Sequence, residues 1–145
     1  MFKHILIPTD GSKLSARAIP KAVALAKSMS ARVTGLSVSE PFHLFTSNPA
    51  IITDTEDVYR VHCKQRAAKD LDVIKKAALQ AGLPCHVLHV FSDQPYLKII
   101  STATTRRCDL ICMASHGRRG VSALVLGSET LKVLTHSKIP VLVWR

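Results

Sequence analysis

The sequence predicts an α/β fold, a single domain on an open five-stranded parallel sheet with helices on both faces, and three observations carry that prediction. Five short apolar runs, at 2–8, 31–39, 85–91, 109–114 and 140–144, have the length and composition of strands. Stretches with apolar residues at helical spacing stand between them. Strands and helices alternating in this way imply right-handed βαβ crossovers about a parallel sheet, whose ligands sit outside the carboxyl ends of the strands where the strand order reverses.

The first strand, 2–8, stops in Pro8-Thr9-Asp10-Gly11-Ser12, a turn that leaves Asp10 at the strand's carboxyl end. Ser12 is placed to cap a helix over 13–29, whose apolar positions are Ala16, Ile19, Ala22, Val23 and Ala26. Pro20 lies inside that pattern and is expected to bend it. The second strand, 31–39, carries Val33, Leu36 and Val38 and ends before Glu40-Pro41. Residues 41–53 make a long connector with two prolines. It reads as a nucleotide-responsive lid over the strand ends, or as a segment in which Phe42 and Phe45 patch the core or a subunit contact.

A long helix is expected over 54–81, ended by Gly82-Leu83-Pro84. The third strand, 85–91, alternates His86, Leu88 and Val90 with Val87, His89 and Phe91, and its histidines read as strand-face residues. Ser92-Asp93 is expected to cap a helix over 94–106, with Pro95 in its first turn. After the fourth strand, Gly127 would cost about 1 kcal/mol inside a continuous helix. That divides the next region into a short helix near 120–126 and a helix over 128–137 capped by Ser128. Residues 140–144 close the sheet.

The stretch 109–130 carries the chemistry. An apolar strand runs into Ser115-His116-Gly117-Arg118-Arg119-Gly120, and Gly127-Ser128 opens a helix. Free N–H groups and the positive end of a helix dipole favour anions there, and glycines let phosphate oxygens approach the main chain. Arg118 and Arg119 add positive charge, so the loop is a candidate phosphate cradle.

Composition narrows the classes. The 145 residues suit one domain, with 47% hydrophobic and 21% charged residues as in globular proteins. No apolar run approaches the roughly 18–20 residues of a membrane span. The N-terminal apolar stretch is too short for a secretory leader, so the chain is expected to begin here and to work in the cytoplasm. Cys63, Cys85, Cys108 and Cys112 have neither zinc-site nor CxxC spacing and read as reduced, mostly buried residues. The net charge of +10 suits a nucleotide or a polyanion. With aromatics at 5% and basic residues spread along the chain, the interleaving expected of a single-stranded nucleic-acid surface is missing.

Met113-Ala114-Ser115-His116-Gly117, nine residues, then Gly127-Ser128 resembles the signature G-2x-G-9x-G-(S/T) of the universal stress protein family, which binds ATP through that segment. Ala114 stands where the signature has its first glycine, and alanine is the smallest replacement. The resemblance extends to residues 5–12 and 138–143, and so spans essentially the whole chain. It implies an adenine nucleotide alpha hydrolase-like sheet with strand order 3-2-1-4-5. It further implies that Pro8, Thr9 and Asp10 contact the adenosine and that Val38 meets adenine through its main chain. Met113, Ala114 and Gly117 would lie along the ribose and phosphates, with Gly127, Ser128, Glu129 and Thr130 closing around the phosphate tail.

The function expected is an ATP-binding stress-response module, regulated by nucleotide occupancy and acting through a protein partner that the sequence does not name. The closing strand has a possible free edge, and with the resemblance this points to a homodimer through residues 140–145. The alternative of another class is a slow ATP hydrolase or phosphotransfer enzyme. Asp10 could hold Mg with ATP and His116 could be a base, but nothing positions a water or acceptor, no Walker-type lysine motif is present, and His116 reads as an exposed loop residue. No protein metal cage is expected. A family member that has lost nucleotide binding and a basic nucleic-acid-binding protein remain further alternatives.

Overall fold

The computed structural model describes residues 1–43, 49–116 and 126–145, with the backbone alone for 49–54. Its elements are β1 (His4–Pro8), α1 (Lys13–Ser28), β2 (Arg32–Ser39), α2 (Pro49–Gln80), β3 (Cys85–Phe91), α3 (Pro95–Thr105), β4 (Leu110–Ala114), α4 (Ser128–His136) and β5 (Val141–Trp144). The strands form one sheet in the order β3-β2-β1-β4-β5, and every pairing is parallel. Fold class and strand order are those expected.

The alternation of side chains along β1 explains why it lies at the centre. Ile5 and Ile7 are buried in one core, with Ile19, Val23, Leu71 and Ile74 of α1 and α2. Leu6 points the other way, into a second core with Ile99 and Ala103 of α3 and Val133 of α4. A strand apolar on both faces needs a helix layer on each side, and the crossovers supply them.

Several boundaries and caps depart from expectation. α2 begins at Pro49, so the connector after β2 is shorter than 41–53. Proline suits that first helical position because it has no N–H to leave unsatisfied. Pro20 sits exposed within α1, and the buried face of that helix includes Ser15 and Ala18, whereas Ala16 is exposed. Ser12 caps α1 as expected, accepting the N–H of Ser15 at 3.2 Å. The N-cap position of α3 is Gln94, without a side-chain cap; Ser92 Oγ accepts the Gln94 N–H at 3.1 Å, just outside the helix. At α4, Gly127 holds the N-cap position and Ser128 is already the first helical residue. The short helix expected near 120–126 falls almost wholly on residues outside those described. Gly82 ends α2 with φ 72°, and the Gly82 and Leu83 N–H groups donate to Leu79 and Ala78 carbonyls.

Candidate functional site

The order of strands reverses between β1 and β4, and a cleft of about 600 Å³ opens at their carboxyl ends. Pro8, Thr9 and Asp10 enter it from β1, Val38 from β2, Met113 and Ala114 from β4, and Gly127, Ser128, Glu129 and Thr130 from the start of α4. Ten of the thirteen residues singled out in the sequence therefore share one cavity; Gly117, Arg118 and Arg119 lie outside the described residues.

Local hydrogen bonds hold the β1 end. Thr9 Oγ1 lies 2.8 Å from Ser15 Oγ and accepts the Gly11 N–H at 3.2 Å. Asp10 Oδ1 accepts the Ser12 N–H at 3.0 Å, an Asx turn that leads into α1. Gly11 turns the chain with φ 73° and packs against the carboxylate of Asp70.

On the β4 side, Thr130 Oγ1 donates to the Ala114 carbonyl at 3.0 Å, fastening α4 to the strand end. The Gly127 N–H donates to Ser115 O at 2.8 Å, so it is already engaged and is not a donor for a ligand. Gly127 has φ −61°, an ordinary backbone; its value is the missing side chain rather than a special conformation. Inside α4 the Leu131 N–H is bonded to Gly127 O at 2.9 Å. The N–H groups of Ser128, Glu129 and Thr130 precede it and have no intrahelical acceptor, which makes this helix end suited to an anion. The Glu129 carboxylate is committed elsewhere: one oxygen accepts the Tyr96 N–H at 2.8 Å, at the start of α3, and the other bonds Lys132 at 3.2 Å.

His116 is not an exposed loop residue. It is half-buried and lines the cleft, with Nδ1 2.9 Å from Ser115 Oγ and Nε2 buried without a hydrogen-bond partner among the described residues.

Sequence reasoning missed one wall of the cleft. Tyr59, Cys63, Arg66 and Asp70 of α2 line it, at steps of four, three and four residues along one helix face. The Tyr59 hydroxyl donates to Glu40 O at 2.7 Å, and its ring lies 5.4 Å from that of Phe42, which joins α2 to the exit of β2. At the mouth, His43 Nε2 lies 2.6 Å from Asp93 Oδ1. The strand histidine His89 bonds Ser39 Oγ at 2.9 Å, and burial, aided by the charge of Lys64, lowers its pKa.

No group of three or more potential metal ligands occurs among the described residues. Burial pushes the thiols of Cys108 and Cys112 up to about 11 and about 12, whereas Cys63 and Cys85 are only half-buried, a departure from the mostly buried reading. No helix among the described residues is long and apolar enough to cross a membrane.

Known proteins share this architecture. The chain is 32% identical to the universal stress protein YxiE of Bacillus subtilis, over the full length of both chains. The solved structure of the MJ0577 protein, a universal stress protein of Methanocaldococcus jannaschii, superposes with a TM-score of 0.84 at 27% identity, covering 99% of this chain and 95% of that one. A universal stress protein from Archaeoglobus fulgidus, solved in complex with dAMP, shares the fold with a TM-score of 0.64 at 17% identity, over 100% and 98% of the two chains. A match to the Universal stress protein family spans residues 1–145. With the sheet order, the cleft at its reversal and the whole chain agreeing, this protein belongs to the universal stress protein family.

Proposed function

We propose that the cleft binds ATP and that the protein works as a cytoplasmic, homodimeric stress-response module whose state follows nucleotide occupancy. The observation that carries the reading is the convergence of Asp10, the β4 end and the three leading N–H groups of α4 on one cavity of about 600 Å³, large enough for a mononucleotide. The dAMP bound by the Archaeoglobus relative supports an adenine nucleotide.

In this reading Pro8, Thr9 and Asp10 meet the adenosine, and the Val38 main chain meets adenine. Met113, Ala114 and Gly117 follow the ribose and phosphates, while the Ser128, Glu129 and Thr130 N–H groups and Arg118 and Arg119 hold the phosphate tail. Asp10 would meet a Mg ion carried in with ATP, not held in a cage of protein ligands. Hydrolysis, if any, is slow against a typical turnover of about 10 s⁻¹, because the reading provides no positioned water or acceptor. The test is to denature freshly purified protein, identify the released small molecules, and titrate the emptied protein with ATP by calorimetry. Released adenine nucleotide or a saturable heat supports the reading; neither, or enzyme-like turnover, overturns it.

A further inference from the structure

Among the described residues, one buried side-chain polar atom of the cleft has no hydrogen-bond partner, His116 Nε2. The state of that atom follows from its neighbour. Ser115 is 1% exposed, and His116 Nδ1 at 2.9 Å is the one acceptor its hydroxyl has among the described residues. A buried hydroxyl hydrogen without an acceptor is costly, so the Ser115 O–H donates to Nδ1. The ring proton then sits on Nε2. The result is a buried N–H donor on a cleft residue, and among the described residues no group accepts from it.

We infer that His116 Nε2–H donates a hydrogen bond to a phosphate oxygen of the bound nucleotide, with Ser115 as the positioning residue that holds the tautomer. This rests on the nucleotide reading above. The phosphate is the part addressed because Ser115 is tied directly to the start of α4: its carbonyl accepts the N–H of Gly127, the residue that opens the helix. A donor on the next residue adds to the N–H groups of Ser128, Glu129 and Thr130, all of the sign that attracts an anion. Adenosine, which lacks the phosphates, does not use it.

The test combines calorimetry with imidazole nitrogen-15 NMR. Wild-type protein at pH 8 should show the Nε2–H tautomer before ligand is added. His116→Ala should weaken ATP about tenfold and leave adenosine within about twofold. His116→Gln, whose amide can donate from nearly the same place, should recover most of the ATP affinity. Ser115→Ala should yield a mixture of tautomers and a loss of ATP affinity of about threefold. An Nδ1–H tautomer in the wild type, ATP binding by His116→Ala at wild-type strength, or equal losses for ATP and adenosine would each overturn the inference. These outcomes are distinct from failure of the nucleotide reading, in which the wild type itself binds neither ATP nor adenosine and this inference falls with it.

Discussion

Among the described residues two glycines take the left-handed backbone, Gly11 at φ 73° and Gly82 at φ 72°, and they differ in what a side chain would meet. A Cβ on Gly82 would meet nothing within 4 Å among the described residues, whereas one on Gly11 would collide with the carboxylate of Asp70. Gly82→Ala should therefore cost only the conformational penalty, about 1 kcal/mol, and Gly11→Ala at least about 2 kcal/mol. Urea denaturation of the two variants checks this, and equal losses would mean that the Asp70 contact contributes nothing. Both glycines were legible in the sequence because turns and caps are local chemistry. The carboxylate of Glu129 at the start of α3 was not, because it joins residues 33 apart in the chain. His4 sets a pH dependence of a similar hidden kind. It is 6% exposed and bonds Thr34 Oγ1 at 2.8 Å through Nε2, while Nδ1 makes no full hydrogen bond among the described residues. Burial lowers its pKa, and Arg32 lowers it further, although the backbone of Arg106, the charge of Asp109 and the backbone of Arg107 act against them. The unfolded chain, with an ordinary value of about 6.5, takes up a proton that the folded chain refuses. The stability from neutral His4 is therefore complete above about pH 7 and declines as pH falls through 6.5 toward the lowered folded value. Stability should therefore fall between about pH 7 and 5.5, and His4→Gln should make that fall shallower in urea titrations at the two pH values, leaving the part that His89, lowered in the same direction, contributes.

At the scale of the element, α2 is both a core helix and a wall of the cleft. Its inner face supplies Ala67, Leu71, Ile74 and Ala78 to the interior, and the neighbouring stripe of Tyr59, Cys63, Arg66 and Asp70 turns to the cavity. That stripe was hard to see because Val58, Val61, Val73 and Leu79 are exposed on the same helix and blur the apolar periodicity. Lys and Arg on the solvent side also make any single arginine inconspicuous. The placement of Cys63 gives a direct reporter. A bound nucleotide would cover it, while Cys85, on the edge strand β3, lies outside the cleft lining. Maleimide should label Cys63 and Cys85 in the native protein and spare Cys108 and Cys112, whose buried thiols hold almost no thiolate near neutral pH. Saturating ATP should slow Cys63 labelling at least about fivefold and leave Cys85 as an internal control. Mass spectrometry of the labelled peptides checks it, and unchanged Cys63 labelling would place the ligand away from α2.

For the whole molecule, alternating strands and helices specified a parallel sheet because no other layering buries strands that are apolar on both faces. Which strands are neighbours does not follow from periodicity, and the order 3-2-1-4-5 came with the resemblance. That order leaves β3 and β5 as the two edges, and the proposed homodimer uses β5. The register tells which groups are free for it. Pro140 O accepts from Ile111 N–H and Trp144 O from Ser115 N–H, so the even-numbered residues of β5 face β4. Val141 and Val143 therefore direct their backbone groups to the open edge. Proline at 143 would remove an outward N–H without touching the β4 ladder, as proline on an edge strand is tolerated. On β3, Pro84 O accepts from Val33 N–H, so Val87 likewise faces outward, and Val87→Pro is the matched control at the other edge. If two copies pair antiparallel through β5, light scattering should give a dimer mass for the wild type and for Val87→Pro, and a monomer mass for Val143→Pro with its circular dichroism unchanged. A monomeric wild type at micromolar concentration removes the dimer altogether, and a dimer lost in Val87→Pro but kept in Val143→Pro moves the interface to β3.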